Sequence, residues 1–147
     1  MSTTSCLYHI VFNTHNRKMA IDPLHEEDLY RYLWSIIRQR NCELKRVGGI
    51  ANHIHLLINL HPSVSLADLV GELKRKSSLW MKRSGLFPRF EGWGREYFAF
   101  SKSEEHRGTV IEYIKNQKAH HSKLGFEEEM REIVARENQE WNECMLT

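Results

Sequence analysis

The chain has 147 residues and a mass of 17.5 kDa, 41% of them apolar and 27% charged, with only three prolines and eight glycines. This is the size of one globular domain and excludes a disordered or collagen-like chain. No apolar run reaches the roughly 18 residues of a membrane span, and Met1–Ser5 lacks the basic and apolar regions of a signal peptide, so a cytoplasmic place and no membrane partner are expected. Cys6, Cys42 and Cys144 are odd in number and widely spaced, which argues against a disulfide framework and a zinc knuckle. The net charge of +2 hides an asymmetry: residues 1–125 carry 19 Lys/Arg against 12 Asp/Glu, and residues 126–147 carry 2 against 7. A basic body suits a polyanion such as nucleic acid, but a solvated surface with an acidic terminal helix fits the charge as well.

In chain order, Leu7–Phe12 is aromatic and β-branched with Tyr8, Ile10 and Phe12 on one side, which predicts a first strand. His9 falls on the opposite side and is expected to be structural or at the surface, outside any site. Asn13–Lys18 reads as a polar turn, with Arg17 and Lys18 as a basic rim. Asp22-Pro23 predicts an N-cap followed by proline at the first helical position, and Leu29, Leu33, Ile36 and Ile37 form the buried face of that helix. Residues Glu43–Ile50 predict a second strand, with Gly48-Gly49 and Ala51-Asn52 marking a bulge or tight turn.

The third strand carries the strongest signal. Ile54, Leu56, Ile58 and Leu60 alternate with His53, His55, Leu57 and Asn59, so one face is apolar and two imidazoles share the other. Two histidine nitrogens aimed at one point suit a divalent metal. Ser65 then caps a helix with the stripe Leu66, Leu69, Val70, Leu73, Trp80 and Met81, ending at Gly85. Off that stripe lie Lys74, Arg75, Lys76, Lys82 and Arg83, readable as a solvated face or as phosphate contacts. Residues 86–96 interleave Phe87, Phe90 and Trp93 with Arg89 and Arg95, suited to unpaired bases and phosphates or to a loop folded over its own aromatics. Tyr97–Phe100 predicts a fourth strand. A helix from Ser103 to about His121 buries Val110, Ile114 and Ala119 and sets Tyr113 and Gln117 four residues apart on one face. A separate acidic helix follows from Glu127.

The order β-α-β-β-α-β predicts an α+β fold, the ferredoxin-like split βαβ arrangement: an antiparallel sheet with two helices on one face and the Tyr113 helix across the other. The whole chain forms a single domain, with a core over about 6–121 and an acidic helical tail over about 126–147. His53, His55 and the Gln117 carboxamide could hold a divalent ion incompletely, leaving positions for phosphate oxygens, and the Tyr113 hydroxyl could attack a phosphorus polarised by that ion. A His-x-His pair also opens metallo-hydrolase sites, although no His-x-His-x-Asp-His follows here.

Three segments carry a family resemblance: Tyr8-His9-Ile10-Val11-Phe12, Asn52-His53-Ile54-His55-Leu56-Leu57 and Tyr113-Ile114-Lys115-Asn116-Gln117. Over about residues 6–121 the chain resembles the single-tyrosine HUH transposases of insertion sequences that move as single-stranded DNA, including those associated with repetitive extragenic palindromes. The resemblance implies Tyr113 as nucleophile, His53, His55 and Gln117 as ligands of Mg²⁺ or Mn²⁺, and a homodimer that binds DNA hairpins. Such enzymes cut and rejoin single-stranded DNA through a 5′-phosphotyrosine link without ATP. Arg17, Lys18, Lys74, Arg75, Lys76, Lys82, Arg83, Arg89 and Arg95 are the expected DNA contacts. Asn52 stands where the family often has Asp, and the tail has no assigned role. The alternative is a domesticated or regulatory protein that binds hairpin DNA without transposing it.

Overall fold

The computed structural model describes residues 2–120 and 125–146, with side chains as far as Glu137. Four strands, β1 (Leu7–Asn13), β2 (Glu43–Ile50), β3 (His53–Asn59) and β4 (Phe98–Lys102), form one sheet in the order β2-β3-β1-β4, every neighbouring pair antiparallel. Helices α1 (Glu26–Gln39) and α2 (Leu66–Ser84) connect them, and α3 (Arg107–Lys115), α4 (Gln117–His120) and α5 (Phe126–Leu146) follow β4. This is the predicted ferredoxin-like α+β arrangement.

The period-2 alternation of the strands decides which layer each side chain joins. Ile10, Phe12, Ile54, Leu56 and Ile58 face α1 and α2, whose Leu29, Leu33, Ile36, Ile37, Leu69, Val70 and Leu73 complete the main core. Their neighbours along the strands project from the other face. There Leu7 and Leu57 are covered by Val110 and Ile114 of α3, and Val11, with Phe98 and Phe100 beside it, by Phe126, Met130 and Ile133 of α5. The tail helix is therefore part of the packed domain. Its apolar residues recur at helical spacing, and each removes apolar surface from water on a sheet that α3 leaves half open.

Several boundaries differ from the sequence expectation for local reasons. Asp22 does not cap α1; its carboxylate accepts from the Leu24 amide and its carbonyl from the His25 amide, closing a turn, so the helix begins at Glu26. Ser65 and Gly85 end α2 as predicted, the first accepting from the Asp68 amide and the second at φ 75°. The aromatics of residues 86–96 fold inward: Phe87 and Phe90 are buried, and Trp93 donates to Ser77 and meets Phe12 edge-on. The fourth strand is displaced to Phe98–Lys102. The helix expected from Ser103 to His121 breaks at Asn116, whose ψ of 17° separates α3 from α4; Ala119 is exposed, and His121 lies outside the described residues.

Gly48 and Gly49 are not the bulge, which falls between Leu44 and Arg46. They remain in β2, and Gly48 has a specific use: a Cβ there would stand 2.6 Å from the Ile114 carbonyl oxygen. The missing side chain lets α3, and with it Tyr113, lie directly on the sheet. Lys118 fixes the next helix by reaching Glu26 of α1 at 2.7 Å and the Gly49 carbonyl at 3.3 Å. Gly48→Ala is therefore expected to destabilise the fold by about 1–3 kcal/mol through overpacking against backbone. Urea denaturation measures this, and a variant as stable as the parent, with α3 amides equally protected from exchange, would show that α3 does not rest on this position.

Candidate active site

Of the residues on the second sheet face, His53 and His55 are fully buried, and their Nε2 atoms converge on one carboxylate oxygen, Oε1 of Glu129, at 3.3 and 3.4 Å. One donor atom from each of the three side chains lies within 4.8 Å of the other two, a group that could hold a metal ion. The other ring nitrogens are also engaged. His53 Nδ1 is 2.8 Å from Asn52 Oδ1, and His55 Nδ1 is 2.8 Å from His9 Nε2. An amide oxygen only accepts, so His53 donates from Nδ1 to Asn52. Burial, with His55 beside it, lowers the pKa of His9 to about 3, and its Nε2 shares one hydrogen bond with His55 Nδ1. Outer partners that fix the tautomer and orientation of two imidazoles, together with a carboxylate, form a donor set suited to a divalent ion.

The residues expected at the site meet there. Tyr113 of α3 has its ring 5.7 Å from that of His55 and 5.9 Å from that of His9. Gln117, buried at the start of α4, brings Oε1 to 3.2 Å from His53 Nε2 and donates from Nε2 to Glu129 Oε2 at 2.9 Å. The Tyr113 hydroxyl donates to the same Glu129 oxygen, and His120 Nε2 is 3.6 Å from it. Burial raises the Tyr113 pKa well above the usual phenol range, and the hydrogen bond to Glu129 and its negative charge raise it further. Burial acts to raise the Glu129 pKa too, but hydrogen bonding with His53 and His55 outweighs it and holds the carboxylate well below its usual range. The resting pair is thus a phenol bound to a carboxylate.

Three participants were not expected from the sequence. His9 was set aside as a lone histidine, although its strand face is that of the pair, and the β1–β3 pairing brings it to His55. Asn52 was read as a turn residue, yet its side chain orients His53. Glu129 lay among seven acidic residues of the tail; the signal for it is position, since it falls on the apolar face set by Phe126, Met130 and Ile133.

The basic residues expected to meet DNA are dispersed. Arg75, Lys82, Arg83 and Arg89 are exposed, and Lys76 pairs with Glu72 at 3.3 Å; the α2 members of this set belong to the helical layer, across the sheet from the histidines. Lys74 reaches the Glu96 carbonyl at 3.3 Å, its pKa lowered by burial, and Lys18 pairs with Glu91 at 2.8 Å. Arg17 and Arg95 stand closer to the site. With His15, Phe98, Phe126 and Arg131 they line a cleft of about 830 Å³ at the start of α5.

Comparison with known proteins places this geometry. A chain of 118 aligned residues is 28% identical to the transposase of insertion sequence IS200 from Salmonella typhimurium, over 77% of each protein, and the Salmonella typhi transposase aligns with the same values. Among solved structures, a Deinococcus radiodurans chain described as a transposase superimposes with a TM-score of 0.63 at 26% identity, covering 79% of this chain and 93% of that one. A REP-associated tyrosine transposase bound to a REP hairpin shares the fold with a TM-score of 0.62 at 15% identity, over 84% and 76%. The family model for IS200-like transposases matches residues 2–117. That span holds His9, the histidine pair, Tyr113 and Gln117, and stops before Glu129, so the chain belongs to the IS200-like transposases, enzymes of DNA transposition.

Proposed function

We propose that this transposase cuts and rejoins single-stranded DNA through a 5′-phosphotyrosine link on Tyr113, acting beside hairpins in the DNA. One observation supports the reading above the others: a tyrosine hydroxyl, two oriented imidazole nitrogens and a buried carboxamide converge on one site. His53 and His55, with oxygen from Gln117, would hold Mg²⁺ or Mn²⁺, and Glu129 would add a carboxylate oxygen while α5 is seated. The ion would supply Lewis-acid stabilisation of charge on the phosphate oxygens.

The chain's own side chains account for the rest. Asn52 and His9 hold the imidazoles in one tautomer, and Gln117 spans His53 and Glu129 so that the two donors stay in register. The Tyr113 oxygen forms a bond to phosphorus as the bond from phosphorus to the 3′ oxygen breaks. The proton lost by the phenol ends on the departing 3′ oxygen, so the exchange is balanced and needs no nucleotide energy. Reversal with a different 3′ hydroxyl rejoins the strand. A homodimer belongs to the same proposal. Because Tyr113 already faces the histidines of its own chain, the dimer serves to hold two hairpins rather than to complete the site.

Tyr113→Phe is expected to abolish the covalent protein–DNA adduct on a hairpin-bearing single strand, seen as a shifted band on a denaturing gel, while hairpin binding is retained. Undiminished cleavage by this variant would sink the assignment. Asn52→Ala and His9→Leu should each weaken Mn²⁺ binding by about 10- to 100-fold, the usual effect of losing an outer partner of a ligating histidine. Calorimetric titration with Mn²⁺ measures this without DNA; affinities equal to the parent's would mean that the two residues do not orient the imidazoles for a metal.

A further inference from the structure

The seat of α5 has the chemistry of a single-strand binding face. Beneath the helix, Phe98 and Phe100 of the edge strand β4 project from the sheet beside Val11. At one end stands Arg17, at the other Lys102, and midway are the histidines and Tyr113. The helix meets each polar point of this face with a carboxylate: Glu127 pairs with Arg17 at 3.1 Å, Glu129 lies against His53, His55 and Tyr113, and Glu137 pairs with Lys102. Anions thus recur along the helix opposite Arg17, Lys102 and the imidazole nitrogens. Glu129 accepts from the Tyr113 hydroxyl and lies against both histidines, so with the histidines and Gln117 buried the seated helix covers the point where a phosphate attacked by Tyr113 would have to be. The cleft beside Phe126, Arg17 and Arg95 leaves one end of the face open.

We propose that the face under α5 is the track of the single-stranded DNA substrate, that the helix occupies it as an acidic stand-in for the DNA backbone, and that DNA displaces it. Arg17 and Lys102 then contact phosphates on either side of the scissile one, and Phe98 and Phe100 become stacking platforms for bases. Aromatic side chains on a four-stranded sheet are a known means of holding unpaired bases, and such stacking tolerates any sequence. The inference rests on the reading of single-stranded DNA as substrate.

The test uses the full chain in EDTA, which removes any metal contribution, and an unstructured 20-nucleotide DNA strand. Amide hydrogen exchange is expected to show residues 126–137 losing protection at saturating DNA while β1 and β3 keep theirs. Protection of α5 unchanged by bound DNA would overturn the proposal and leave the single-strand reading standing. Glu127→Gln with Glu137→Gln should tighten DNA binding by at least fivefold more than Glu128→Gln with Glu132→Gln, which removes the same charge from exposed positions of the same helix. Equal changes in the two pairs would also overturn it, since net charge alone would then explain the effect. Absence of binding by the parent and every variant would remove the single-strand reading itself, and the track with it.

Discussion

The convergence of His53 Nε2 and His55 Nε2 on one carboxylate oxygen is the constraint on which the rest of the site depends. Two residues apart on a strand, the imidazoles share a face by geometry alone. Sharing a face does not make them aim at one point, because each ring can still rotate and change tautomer. Asn52, in the turn before β3, and His9, on β1, remove that freedom by engaging the two Nδ1 atoms. The pairing of β1 with β3 is therefore part of the site, and the main core supports it from the other side of the sheet.

The same face makes the clustered polar groups depend on one another. His53, His55, Gln117 and Glu129 are buried, so an interaction between them is weakly screened and an unmatched polar group would be costly. Tyr113 is held as a phenol by burial and by Glu129, and Glu129 is held as a carboxylate by the two histidines. Each group's protonation state is set by its neighbour. The relation also explains how a family match that stops at Gln117 can hold Tyr113, Gln117 and the histidine pair while leaving out the carboxylate that touches them all.

Fold and site differ in how far the sequence reveals them. Strand and helix faces were legible because burial imposes period 2 on Ile54, Leu56 and Ile58 and period 3.6 on Leu29, Leu33, Ile36 and Ile37. Ser65 and Gly85 were legible because capping acts within one turn. The break at Asn116 was not, since Tyr113 and Gln117 fit a continuous helix equally well by spacing. His9 was missed because its meaning comes from a partner 46 residues away, and the tail because its acidic composition suggested solvent. Its apolar stripe was present, but the surface awaiting that stripe existed only after the sheet had formed. Gly48 was read as part of a bulge or turn because the helix whose backbone it admits, α3, lies more than 50 residues further along the chain.

A sheet with two faces gives this fold one face to close with its connecting helices and a second to divide. The helices that follow β4 divide the second: α3 and α4 lie over β2 and β3, and α5 lies over β1 and the edge strand β4. The clustered polar groups fall on the line between those two halves. Tyr113 and Gln117 come from the half whose helix is locked by Gly48 and Lys118, and Glu129 from the half held by three apolar side chains and by ion pairs at Arg17 and Lys102. The surface ion pairs among these contribute little individually, about 0–1 kcal/mol each, and are screened by salt. Tyr113 is thus fixed to the sheet by backbone contact, while the carboxylate that accepts from it is carried on the element with the more exchangeable contacts. Freeing the Tyr113 hydroxyl and moving the carboxylate off both imidazoles are one event in this arrangement, because a single side chain, Glu129, accepts from the tyrosine and lies against the two histidines.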